Sequence, residues 1–153
     1  MRLRMLGGPE GHPIHPFVVP VPIGALPPHW SSTSTHVRAG ELPWLVDGAW
    51  WLIGIGLVGA ALAAIFGTVD LLRIPRGTRA FTIAVIHLIL NVAVAVIFLA
   101  GYAWRAGDHV ELGQTPWGQL GLSAAGVGLL AASVLLGQSL TYRFGVRVDR
   151  GNG

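Results

Sequence analysis

The chain has 153 residues, of which 52% are hydrophobic and only 11% charged, with a formal net charge of +3. Soluble domains carry about a quarter charged residues, so this composition excludes an ordinary water-soluble fold and points to one integral membrane domain spanning 1–153. All ten basic residues are arginine, placed in short clusters beside apolar runs, and there is no cysteine. That pattern suits membrane orientation rather than a nucleic-acid groove, and it rules out disulfides and thiolate metal sites, leaving imidazole as the metal ligand to watch.

The opening "MRLRMLGGPEG" has no continuous apolar core and no small-residue cleavage site, so no removable signal peptide is expected. Next comes "GHPIHPFVVPVPIGAL", where Pro13 and Pro16 fix φ around His12 and His15 and favour a rigid approach to the membrane. The apolar part, about 17–26, is roughly half the length a span needs. "PPHWSSTSTH" then follows with a helix-hostile proline pair. Two readings of residues 27–47 stay open. One is an irregular polar insert after a shortened or disrupted first span. The other is a local frame shift: read two bases later with G or C in third positions, the codons from Leu26 onward give approximately "AAALVLDLHARAG", an ordinary helix continuation.

Three stretches are long enough to cross a bilayer. They run over about 48–69, 81–104 and 117–140. The connection "DLLRIPRGTRA" turns at Pro75 and Gly77 and carries Arg73, Arg76 and Arg79, which the positive-inside rule places in the cytoplasm. The loop from Arg105, "RAGDHVELGQTP", mixes both signs and is expected outside, and Arg143, Arg147 and Arg150 bring the C-terminus back to the cytoplasm. Trp44, Trp50, Trp51, Tyr102, Trp104 and Trp117 all fall at the expected outer ends, as an interfacial aromatic belt requires. A fourth crossing at the N-terminus keeps Arg2 and Arg4 inside as well, so the expected fold is an all-α, up-and-down helical bundle in a membrane.

Small residues recur at helix-packing spacing: Gly59, Ala63 and Gly67, then Gly121 with Ala125 and Gly128 with Ala132. No phosphate-binding loop, nucleophile elbow or paired-histidine protease motif is present. The chain is therefore read as not an enzyme on its own.

Chemistry-bearing residues gather toward the arginine side. His12 and His15 precede the first span, Asp70 ends the second, His87 and Asn91 lie two to three turns into the third, and Tyr142 ends the fourth. An ionisable residue inside a span is costly and normally faces the bundle interior, which makes His87 the sharpest pointer, with Asn91 one turn away on the same face. Two histidines from different helices suit axial ligation of haem b, with His87 paired to His12 or His15. The alternative to haem is a metal held by His12, His15, His87 and Asp70, with Asn91 and Tyr142 supporting. The competing reading is a helix fastener, in which His87 donates a hydrogen bond to Asp70 or to a backbone carbonyl. His29, His36 and His109 receive no role.

The pieces "GHPIHPFVVPVPIGAL", "GTVDLLRIPRGTRA", "IHLILN" and "GQSLTYRFGVRV" together resemble the bacterial membrane family catalogued as domain of unknown function 2231. The resemblance implies four transmembrane helices with an unbroken first one. It also implies a closing motif that often carries histidine where this chain has Phe144. Relatives joined to Rieske-type domains suggest electron transfer, with a quinone or a redox protein as partner. The alternative is a non-catalytic structural or assembly subunit, in a homo-oligomer or a larger membrane complex, for which the small-residue faces suffice. Membrane lipid is the one partner common to both.

Overall fold

The computed structural model describes residues 15–26, 43–108, 117–144 and 146. Among these the protein is all-helical, with no strands. The first helix, α1 (His15–Val18), is interrupted at Val19 and resumes over 20–26. The chain turns through Val19 without losing the helical ladder, since the Val19 amide donates to the His15 carbonyl at 3.1 Å and the Ile23 amide to the Val19 carbonyl at 3.3 Å. Pro20 and Pro22 carry no amide hydrogen to contribute to that ladder.

Helix α2 (Pro43–Leu71) starts five residues before the expected span. Proline suits the first position of a helix, where its missing N–H has no partner to lose, so the last residues of the 27–47 stretch are helical, and 27–42 lie outside the described residues. Helix α3 (Arg79–Asp108) and helix α4 (Trp117–Tyr142) complete the bundle. The α2–α3 turn contains Gly77 at φ +80°, a conformation that side chains with a Cβ resist. Thr78 then caps α3: its Oγ1 accepts from the Phe81 amide at 3.2 Å and donates to the Pro75 carbonyl at 2.8 Å.

Three segments, Gly48–Leu71, Arg79–Ala106 and Trp117–Tyr142, are long and apolar enough to cross a membrane. Their outward faces agree with that environment. Ile55, Val58 and Ile65 on α2 and Ile89, Val92, Val96 and Leu99 on α3 are all more than half exposed. Such a continuous apolar surface is an aggregation hazard in water and a normal surface in lipid.

Neighbouring helices run antiparallel and interlock through glycine. Leu26 seats on Gly56 and Val21 on Gly59 between α1 and α2, and Phe98 seats on Gly126 between α3 and α4. Trp50 of α2 stacks on Tyr102 of α3, with ring centroids 4.7 Å apart and planes 18° off parallel. A core of Leu26, Ile53, Val94, Phe98 and Leu130 joins these seams. One end of the bundle therefore carries Arg73, Arg76, Arg79 and Arg143, and the other Trp50, Trp51, Trp104 and Trp117.

The two hairpins, α1–α2 and α3–α4, correspond at several positions. On the first helix of each, His15 corresponds to His87 and Leu26 to Phe98. On the second, Ala49, Ile53, Gly56 and Ala63 correspond to Gln119, Ser123, Gly126 and Ser133, and all eight are buried. Leu26 and Phe98 each press on the corresponding glycine of the partner helix. The two hairpins share this packing pattern.

Candidate functional site

That correspondence extends to the histidines. His15 donates its Nδ1–H to the carbonyl of Ala63 at 2.8 Å, and its ring packs against Gly67, where an added Cβ would come within 3.0 Å of Cε1. His87 donates its Nδ1–H to the carbonyl of Ser133 at 2.9 Å, and its ring packs against Gly137 with the same 3.0 Å approach. In both hairpins an imidazole from the first helix hooks a carbonyl of the second, one turn before a glycine that makes room for the ring.

A carbonyl oxygen only accepts, so both contacts fix the proton on Nδ1 and leave the lone pair on Nε2. At His87 the Ser133 hydroxyl lies 3.1 Å from Nδ1 and shares that hydrogen. Asn91 donates its Nδ2–H to Nε2 at 3.1 Å and to the His87 carbonyl at 2.8 Å. The residue corresponding to Asn91 in the first hairpin is Val19, which has no such donor. The paired rings are thus alike in tautomer and different in what faces Nε2.

Among the described residues, the remaining sequence candidates do not join this pair. His12 lies outside the described residues. Asp70 sits half-buried at the end of α2, with Arg73 Nη1 3.9 Å from its Oδ1, and His87 hydrogen-bonds Ser133 rather than Asp70. Tyr142 is 85% exposed and stands apart from the pair. Among the described residues no three His or acidic side chains converge as a metal-holding group. Phe144 instead lines an open cavity of about 420 Å³ at the arginine-rich end, together with Asp70, Arg73, Thr78 and Val146.

One polar centre was not foreseen from the residue pattern. Arg105, expected in a loop, belongs to α3 and is 2% exposed. Its Nη1 donates to the Gly101 carbonyl at 3.2 Å, and its Nη2 donates to the Gln119 carbonyl at 3.3 Å and to Ser123 Oγ at 2.9 Å. The guanidinium ties the end of α3 to the first turn of α4. The available signal was Gln119 and Ser123 spaced one turn apart at the start of an otherwise apolar helix.

Comparison with curated proteins and with solved structures gave no match. A family model described as "Predicted membrane protein (DUF2231)" matches residues 11–150. The match runs from the glycine before His12 through the two hairpins to the C-terminal arginines, and the chain belongs to this family of multi-pass membrane proteins, domain of unknown function 2231.

Proposed function

We propose that the protein is an electron-transfer module of the bacterial inner membrane that holds haem b, or a first-row metal, between the imidazoles of His15 and His87. The single observation that carries this reading is the shared tautomer. Histidines that bind a metal commonly donate the other ring nitrogen to a carbonyl or carboxylate, which orients the ring and raises its basicity, and both rings do so here through Nδ1. The donor set, two neutral imidazoles presenting Nε2, fits haem iron in either oxidation state. Ligation at His87 requires the Asn91 amide to give up its contact with Nε2.

The arginine-rich end then faces the cytoplasm, as the positive-inside rule asks, with the C-terminus on that side. A quinone or a soluble redox protein would exchange electrons there.

A second reading is favoured by one specific contact. Because Asn91 already satisfies Nε2 of His87, the His87, Asn91 and Ser133 group is complete as a helix fastener, and the chain serves as a non-catalytic structural or assembly subunit. Purification from haem-replete cells separates the two. The redox reading expects a Soret band that is lost in His87→Ala, whereas a colourless protein, metal-free by elemental analysis, would leave the fastener ahead.

A further inference from the structure

The three spans share one boundary at the arginine-rich end, where α2 ends at Leu71, α3 begins at Arg79 and α4 ends at Tyr142. The cavity of about 420 Å³ lies at that boundary, lined by the α2–α3 turn and by Phe144 and Val146 just after α4. Lipid headgroups begin where apolar spans end, so the cavity sits at headgroup depth. Its wall is mostly carbon, from Ile74, Pro75, Ala80, Phe144 and Val146. The Thr78 hydroxyl, which also lines it, is committed to capping α3.

Charge stands at the rim of this apolar wall. Arg76, Arg79 and Arg143 each adjoin a lining residue in the chain, respectively Pro75, Thr78 and Phe144, and all three are exposed. Among the described residues no ion pair or hydrogen bond engages their guanidinium groups. Asp70 and Arg73 approach to 3.9 Å and both have further partners, so that pair largely balances itself and the surplus positive charge belongs to the other three arginines. Like charges gathered around one mouth repel, and an anion among them relieves the repulsion. The planar guanidinium fork matches phosphate in particular.

We infer that this cavity receives the headgroup of an anionic glycerophospholipid, with its phosphate met by Arg76, Arg79 and Arg143 and its glycerol and first acyl carbons by the apolar wall. Basic pockets between the ends of membrane helices bind lipid headgroups in this way. Orienting the chain asks only for positive charge in the loop; it does not ask for a concave carbon surface beside that charge. A free phosphate would be served by the arginines but has no use for the carbon wall. Leu72 and Tyr142, largely exposed at the same level, carry the apolar surface outward toward lipid. The site is separate from the imidazole pair and stands whether or not haem binds.

The test is native mass spectrometry of the full chain released from nanodiscs of equal parts phosphatidylglycerol and phosphatidylcholine. The wild type should retain one phosphatidylglycerol in about tenfold preference to phosphatidylcholine, and excess inorganic phosphate should not displace it. Arg76→Gln/Arg79→Gln/Arg143→Gln should lose the preference. Val146→Trp and Phe144→Trp, which fill the cavity and leave every charge in place, should lose it too, and unfolding in phosphatidylcholine alone shows which of the two is folded and so readable. Equal retention of both lipids by the wild type, or a preference that survives the arginine substitutions, overturns the assignment. A preference that survives in a folded cavity-filling variant overturns it in favour of diffuse surface charge. Displacement by inorganic phosphate overturns it in favour of a free anion.

Discussion

The imidazole of His87 lies against Gly137 so closely that a methyl group on that glycine would come within 3.0 Å of Cε1. The neighbour on the other side of the ring contact is the Ser133 carbonyl one turn earlier, which holds Nδ1 at 2.9 Å. The ring is therefore fixed by a hydrogen bond and by the absence of a side chain. Gly137→Ala is expected to push it off the carbonyl and to cost about 1–3 kcal/mol, as overpacking does. Gly67→Ala should behave alike against His15. Gly128→Ala, where an added Cβ meets nothing within 4 Å, should be near neutral. Reversible unfolding in mixed micelles measures all three, and equal values for the three glycines would contradict the account.

Asn91 bridges Nε2 and the carbonyl of the same histidine. Asn91→Leu should lose about 0.6–1.7 kcal/mol, the span measured for polar contacts within membrane bundles. In a double-mutant cycle with His87→Phe, the two changes should be non-additive by a similar amount. Additive losses would mean that the amide stabilises the helix without engaging the ring.

Phe98 is 2% exposed and seats on Gly126, whereas Leu99 beside it is 57% exposed toward lipid. Phe98→Ala should cost about 3–5 kcal/mol through the void it leaves, and Leu99→Ala should cost far less. The same unfolding assay reads both, and a comparable loss at Leu99 would show that this face packs against protein.

Arg105 makes three hydrogen bonds while 2% exposed. Arg105→Gln should destabilise the α3–α4 hairpin by about 1.5–3 kcal/mol. Arg105→Lys should not restore it, because an ammonium cannot serve Gly101 and Ser123 with one planar fork. The check is proteolysis within 109–116 in the purified protein, which should quicken in both variants.

Because the chain has no cysteine, orientation can be read with single introduced thiols. Leu72→Cys, exposed at the arginine-rich end, should resist a membrane-impermeant maleimide in intact spheroplasts, and Ala106→Cys should react. The reverse pattern would invert the proposed topology.

Much of the fold was legible because lipid imposes simple demands. Length and apolarity alone located α2, α3 and α4, and the arginine and tryptophan placements sorted their ends. His87 and Asn91 were legible too, since polar residues are expensive at that depth. Other features were hidden for physical reasons. Arg105 reads as a loop residue until Gln119 and Ser123 are seen to satisfy it, because a charge is tolerated in a helix end only through partners distant in sequence. The correspondence of the hairpins was hidden because what repeats is contact rather than residue type: Leu26 and Phe98, or Ala63 and Ser133, share a role and little chemistry. Tyr142 was drawn into the polar group by depth alone, and its azimuth on α4 turns it outward.

The most direct test of the central claim is the spin state of haem b bound to the wild type, to His15→Ala and to His87→Ala. The account predicts a low-spin, bis-imidazole spectrum in the wild type that becomes high-spin when either ring is removed and returns to low-spin when free imidazole is added. Spectra that do not change with either substitution, or haem that associates equally well with the double variant, would contradict it.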